Sequence, residues 1–203
     1  MLISVRADDD AATANAFIDS VVDALKKKEN FDPMVVGLEH AEVKEKVGLI
    51  NVDVKVDLHQ TRLTGLGRAL RVGNAEMVSN NGAFNAKLQL GDNNVKVFSD
   101  LTIHLSGTNF NVEMNADVGH MLVTFGIQYD SAGKPSVSEF KIDELKDMKV
   151  KLDSQISILN PVLDELVKIA TKVANKLVLD IVTQVVKPVL SDEMTKLLGG
   201  GNA

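Results

Sequence analysis

From Asn160 to Leu198 the apolar residues fall at helical spacing but spread too far round the helix for an ordinary surface element. Val162, Leu166, Ile169, Val173 and Leu177 are joined on other sides by Val167, Ala170, Val178, Val182 and Val186. Asp164, Glu165, Lys168, Lys172, Lys176 and Asp180 leave a narrow polar stripe. A helix apolar round most of its circumference is either inside a membrane or enclosed by protein. Charges interrupt this stretch too often for the clean run of about 18 apolar residues that a span requires. The pattern predicts a long helix, entered through Asn160-Pro161 and kinked at Pro188, with the rest of the chain wrapped round it. From Val162 to Leu190 such a helix would measure about 43 Å if straight.

The wrapping is predicted by the alternating zone from Val47 to Asp153. Val52, Val54, Val56 and Leu58 alternate with Asp53, Lys55, Asp57 and His59. The same period of two runs through Phe84–Leu90, Val95–Leu105, Phe110–Val118 and Met121–Tyr129, as in strands with one wet face. Asn80-Asn81-Gly82, Gly91–Asn94, Ser106–Asn109 and Asp130–Pro135 read as turns. Consecutive strands joined by short turns predict an antiparallel meander, and the lack of helical crossovers argues against a doubly wound α/β fold. Gly48–Leu58 and Lys96–Leu105 reach the upper end of ordinary strand length, about 10 residues; long strands twist and curl. Ahead of this zone, Phe17, Val21 and Leu25, with Ile18 and Val22, predict a helix over about Asp9–Glu29. Asp8–Asp10 and Lys26–Lys28 suit its dipole, and Asn30-Phe31-Asp32-Pro33 ends it.

The predicted fold is therefore α+β: a strongly curved antiparallel sheet wrapped around a long C-terminal helix, with an N-terminal helix closing an open side. Residues 8–198 make a single domain. Residues 1–7 read either as a truncated leader or expression remnant, since Val5 and Ala7 sit like the small residues before a signal-peptidase cut, or as an ordinary loose N-terminus. Residues 199–203 read as a flexible tail.

Composition narrows the chemistry. At 203 residues, 45% hydrophobic and 25% charged, the chain has ordinary globular proportions. With seven Phe, one Tyr and no Trp, the core must be aliphatic. A net charge of −6 argues against nucleic acid as a partner and gives no push towards anionic lipid. Without cysteine there is no disulfide, thiolate nucleophile or Cys-ligated metal. His40, His59, His104 and His120 lack metal-ligand spacing and are expected on the surface. No G-x-S-x-G elbow or P-loop occurs, and no acid/base pair stands out from solvated carboxylates. The sequence predicts no enzyme, no metal and no required cofactor.

What remains is apolar binding. Phe84, Leu88, Phe110, Met114 and Phe125 on the strands are either core filler or the wall of a cavity; Phe140, Met77 and Met121 belong to the same group, and Met suits permissive binding. Phe98 falls out of phase with Val97 and Leu101 unless a bulge intervenes. The opposite wall would be the helix row Leu163, Leu166, Ala170, Val173, Leu177 and Ile181, where Ala170 is the small residue that leaves room for a ligand. Lys26–Lys28 read as helix capping.

Four segments resemble the group 7 dust-mite allergens and their arthropod relatives: Asn30-Phe31-Asp32-Pro33-Met34, Arg71-Val72-Gly73-Asn74-Ala75, Ser157-Ile158-Leu159-Asn160-Pro161 and Asp192-Glu193-Met194-Thr195-Lys196. They occur in that family's order and spacing over essentially the whole chain; the order, rather than any one match, is specific. The resemblance implies the tubular lipid-binding superfamily, with lipopolysaccharide-binding, bactericidal permeability-increasing, juvenile-hormone-binding and takeout-like proteins as relatives. It implies a curved sheet on a long helix, secretion, and apolar or lipid-like ligands. Takeout-like relatives typically carry an N-terminal disulfide, and the lack of Cys places this chain nearer the mite group.

The expected function is thus a secreted, extracellular carrier of a small hydrophobic ligand such as a fatty acid, terpenoid, carotenoid or lipid tail, without stable membrane insertion. Two alternatives stay open: a fully packed structural or interaction protein, with a homodimer face as its working surface, and recognition of microbial lipid, which the acidic charge disfavours.

Overall fold

The alternating zone folds into one curved, open antiparallel sheet that encloses the C-terminal helical stretch. The computed structural model describes residues 7–37, 40–47, 50–80, 83–92, 94–129, 135–154 and 160–199. Helix α1 (Ala7–Lys26) precedes strands β1 (Met34–Val35), β2 (His40–Val47), β3 (Ile50–Thr64), β4 (Leu70–Asn80), β5 (Ala83–Asp92), β6 (Val95–Leu105), β7 (Thr108–Tyr129) and β8 (Pro135–Asp153). Helix α2 (Asn160–Ile181), a π-turn (Val182–Val186) and α3 (Lys187–Gly199) follow. The proposed leader, apart from Ala7, and the tail, apart from Gly199, lie outside the described residues, as do the centres of the turns at Asn81-Gly82 and Asp130–Lys134.

The meander is present, with one correction. Gly91–Asn94 does not reverse the chain. Strand β7 pairs along one edge with β6 through Thr108–Val118 and then with β5 through Met121–Tyr129. β5 and β6 therefore run end to end in one direction. β3 and β4 do the same beside them, pairing with β6 and β5 respectively. Reversals occur elsewhere, as at Ser106-Gly107, whose φ values of 51° and 80° suit a two-residue hairpin between right-twisted strands.

The interruptions line up. The short helical turn Leu66–Arg68 between β3 and β4, the Gly91–Asn94 joint, Gly119-His120 in β7 and Lys146-Asp147 in β8 fall side by side across the sheet. In β7 the inward series is Val112, Met114, Ala116 and Val118 before this line, and Met121, Val123 and Phe125 after it. Inward residues step by two along a strand, so the step of three means that the strand rolls over there. β8 changes phase opposite it, from Leu152, Val150 and Met148 to Leu145 and Ile142. The sheet is creased along a transverse line. Gly119 is required at it: a Cβ there would lie 2.7 Å from the Cβ of Asp147, itself at φ 56°.

On one side of the crease lies α2. Leu166, Ile169, Ala170, Val173, Ala174 and Val178 are fully buried, against β2, β3, β6, β7 and β8. Burying each Leu, Ile or Val side chain contributes about 1.5–3 kcal/mol, which covers the polar stripe's neighbours as well as the main face. On the other side α1 and α3 pack together, α1 also on β4 and α3 on β8. The predicted kink differs in position. Pro188 lacks an N–H and its ring crowds the carbonyl four residues back, and the backbone widens into the π-turn at Val182–Val186, just before the proline.

Gly119→Ala should destabilise the fold by roughly 1–3 kcal/mol, read from chemical denaturation. Asp147→Gly removes the opposing Cβ and the left-handed strain. In a double-mutant cycle it should recover most of that loss; independent, additive effects would show that the two strands are not in contact at the crease.

Candidate functional site

Beyond the crease, the sheet, the π-turn and α1 do not close completely. Between them lies an apolar cavity with about 570 Å³ of atom-free space, part of it open to solvent. It is a narrow slot. Its floor is Leu90 and Gly91 of β5, Met121, Val123 and Phe125 of β7, and Phe140 of β8. Val182 and Val186 of the π-turn and Leu190 of α3 form one wall. Val22, Leu25 and Lys26 of α1, with Phe31, Leu66 and Ala69, form the other. Lys26 is the charged member of this lining, and its side chain is 24% exposed.

Two of the segments singled out in the sequence are the fittings that hold these walls. Asn30, at φ 63°, ends the first helix region, and Phe31 then turns into the cavity. Asp32 accepts hydrogen bonds from the N–H groups of Gly65 (3.0 and 3.1 Å) and Gly67 (2.8 Å), fixing the crease turn that carries Leu66 and Ala69. Met34 is buried in the core. In the second segment, Arg71 donates to both carboxylate oxygens of Asp19 on α1, at 2.9 and 3.2 Å, and to the carbonyl of Gly73. The Asn15 side chain accepts from the N–H of Ala75 at 2.8 Å and donates to Asn74. Together they clamp α1 to β4. The Arg71 guanidinium holds the Asp19 carboxyl below its ordinary range. Of the third segment only Asn160 and Pro161 are described, at the start of α2; the fourth lies in α3.

The sequence-predicted ligand residues divide. Phe125 lines the cavity, and so do Phe140 and Met121 of the wider group. Met114, Leu166, Ala170, Val173, Leu177 and Ile181 are buried in the core on the α2 side, and Phe110 and Leu163 are half-buried. Phe84 and Leu88 lie on β5 facing Tyr129 and Phe125 across the ladder; their side chains, like that of Met77, lie outside the described set. The helical wall is thus Val182–Leu190 rather than the Leu163–Ile181 row. Phe98 faces outwards, its ring 4.6 Å beneath the Arg62 guanidinium. β6 is regular there and Ser99 takes the inward place, bonded to Thr61 at 2.7 Å; the bulge is in β3, between His59 and Arg62.

A sequence profile described as Group 7 allergen matches residues 13–194. The chain is 29% identical to mite allergen Lep d 7 of Lepidoglyphus destructor over 185 residues, covering 91% of this chain and 85% of that protein. It is 26% identical to mite allergen Der p 7 of Dermatophagoides pteronyssinus over 184 residues, covering 90% and 85%. Among solved structures it is similar to Takeout 1 of Epiphyas postvittana, with 13% identity, a TM-score of 0.39, and 93% and 91% of the two chains covered.

Elsewhere charged side chains pair at the surface, as Lys87 with Glu139 and Lys96 with Asp117, and among the described residues no group of His, Asp or Glu is arranged to hold a metal ion. One such cluster lies on the outer face of β2, β3 and β6. Asp57 bonds Nε2 of His104 at 2.7 Å and Nδ1 of His40 at 2.9 Å, and Nδ1 of His104 meets Asn109 at 2.8 Å. The Asp57 bond raises the His104 pKa, and the two histidines lower that of Asp57. A raised histidine pKa contributes stability below its unfolded value, about 6.5, which is lost as pH rises through the folded one. A lowered carboxylate pKa contributes stability above its unfolded value, lost as pH falls through the folded one. Both contributions are therefore complete between the ordinary carboxylate and histidine values, about 4 and 6.5, and the cluster weakens as pH moves outside that window towards the lowered Asp57 or the raised His104 value. Asp57→Asn should move the His104 imidazole titration, followed by NMR, back towards the ordinary histidine range; an unmoved titration would show that the bond does not persist in solution.

Proposed function

We propose, from the premise that this chain belongs to the Group 7 allergen family, that it binds a small apolar or single-chain lipid-like molecule in the cavity beyond the crease. The observation that carries the reading is the lining itself: residues from both terminal helices, the π-turn and three strands converge on a slot whose exposed lining is apolar, Lys26 contributing its stem. A pocket of this kind binds by area. Each buried methylene contributes about 0.8 kcal/mol, so ten approach the roughly 8 kcal/mol of a micromolar complex before ordering costs. The narrowness of the slot favours a chain entering end-on over a bulky ring system. The α2 side of the sheet, with its row from Leu166 to Ile181 buried, acts as scaffold.

In this reading the protein is a secreted binding protein that works without catalysis or a resident cofactor. Among the described residues no helix is long and apolar enough to cross a membrane.

Native mass spectrometry of protein taken from its source should show a bound lipid-like mass, and the purified protein should take up an environment-sensitive apolar fluorophore. Ala69→Phe, on the partly open wall, should weaken that uptake about tenfold or more while the melting temperature stays close to wild type. Ala170→Phe, placed in the buried row, should instead overpack the core at a cost of roughly 1–3 kcal/mol. A clean apo mass together with no fluorophore uptake would favour a packed interaction protein. Selective binding of bacterial glycolipid would favour recognition of microbial lipid.

A further inference from the structure

We infer that the outer face of the sheet on the α2 side is a self-complementary docking surface, where a second copy of this chain pairs weakly, acidic row against basic row. The register sets outward residues of β3, β6, β7 and β8 in rows across the strands. His59, Asp100, Glu113 and Asp153 make one row, and Arg62, Phe98, Asn115 and Lys151 make the next. The residues that separate the two rows along the strands, Thr61, Ser99 and Met114, are buried. The first row sets three carboxylates directly opposite one another on neighbouring strands, which is unfavourable in itself. The groove above it is lined by no lysine or arginine, and none of the three carboxylates has an ion-pair partner among the described residues. The adjoining groove shares Asp153 and carries Arg62, Lys96 and Lys151. Lys96 pairs with Asp117 at 3.1 Å, and Arg62 and Lys151 have no carboxylate partner among the described residues. The Arg62 guanidinium is held 4.6 Å from the centroid of the Phe98 ring, a cation–π contact that carries its charge towards the middle of the row.

Adjacent rows of opposite sign on one face suit a two-fold axis lying in the interface, between the rows and parallel to them. The contact is then isologous, and each row meets the other row of the partner copy. Lys151 faces Asp153 of the second copy with Glu113 beside it. Arg62, stacked on Phe98, faces Asp100, and the Asn115 amide can donate to Glu113. Each contact occurs twice. A cationic partner would meet like charge at the basic row, and an anionic one would meet like charge at the carboxylates; a second copy satisfies both rows. The rows span three strand spacings, about 14 Å, which puts the interface at the small, transient end of the range, below about 1,200 Å² in total. The paired faces lie outside the α2 half, so the slot beyond the crease stays uncovered in both copies, and the inference is independent of what that slot binds.

Sedimentation equilibrium of the full chain tests this. The wild type should form a dimer with a dissociation constant on the order of 100 μM. Arg62→Glu with Lys151→Glu makes both rows acidic; Glu113→Lys with Asp153→Lys makes the first row net basic like the second. Each double variant alone should self-associate about tenfold more weakly or less. An equimolar mixture of the two should form a heterodimer, a recovery that damage to the fold would not give. Lys151→Glu and Asp153→Lys, mixed in the same way, serve where a double variant fails to fold. A wild type that stays monomeric at about 1 mM, including one that instead binds heparin or a polyamine through these rows, would overturn the inference. So would a dimer indifferent to the charge reversals, or folded variants that do not associate on mixing.

Discussion

The structure depends on one constraint: α2 cannot be left in water. A helix with Leu166, Ile169, Ala170, Val173, Ala174 and Val178 all shut away from solvent needs cover on most of its circumference, and no flat surface supplies that. A curved sheet does. The strands are long because the helix is long: β7 has 22 residues and β8 has 19, well beyond the usual five or six. The edges are dealt with by the same helices. α1 is clamped along β4 by Arg71 and Asn15, and α2 and α3 lie against β8, so the strands most exposed to chance pairing have neighbours.

Long strands bring a difficulty of their own. A sheet that twists steadily cannot keep one face turned towards a helix over twenty residues. The crease resolves this by letting β7 and β8, the strands that cross it, change phase at the same level. It also divides the interior. On the α2 side side chains interdigitate to near-complete burial. Beyond the crease the helix loosens into the π-turn ahead of Pro188, α1 replaces sheet as cover, and the fit is imperfect. The cavity is found at that imperfect fit, between elements that arrive from opposite ends of the chain. π-turns recur at functional positions for a related reason: they shift a helix face without breaking the helix.

Much of the fold was legible because burial leaves a periodic trace. The period of two in Val52–Leu58 and Val95–Leu105, and the over-wide apolar arc after Asn160, were enough to predict sheet, helix and enclosure. β2, with its charged Glu42, Lys44, Glu45 and Lys46, was not picked out, because Ala41, Val43 and Val47 are too few apolar positions to mark a period of two against that run of charge. The crease left a signal too, in the spacing of three between Val118 and Met121, but a strand that rolls over looks in sequence like two strands. The site was less legible. Cavity walls are made of the same residue types as packed core, so nothing in Leu163–Ile181 distinguishes them from Val182–Leu190. Lys26 read as a capping charge because a residue that shares the cavity lining with it, Val186, is distant in sequence. The Asp32 contacts to Gly65 and Gly67 likewise join residues whose relation only the folded chain reveals.

The aligned breaks also give the molecule a mechanical character. A pleated sheet resists bending along its strands because every ladder bond must shift together; where the pleat is interrupted in neighbouring strands at one level, that stiffness is lost along a line. The two halves of the sheet then behave as plates joined at a seam. Because Leu66, Ala69 and Gly91 belong both to the seam and to the cavity wall, opening the angle between the plates and widening the slot are one motion. If the slot holds a ligand as proposed, its capacity would follow the angle at this seam, and the packed half would keep its arrangement.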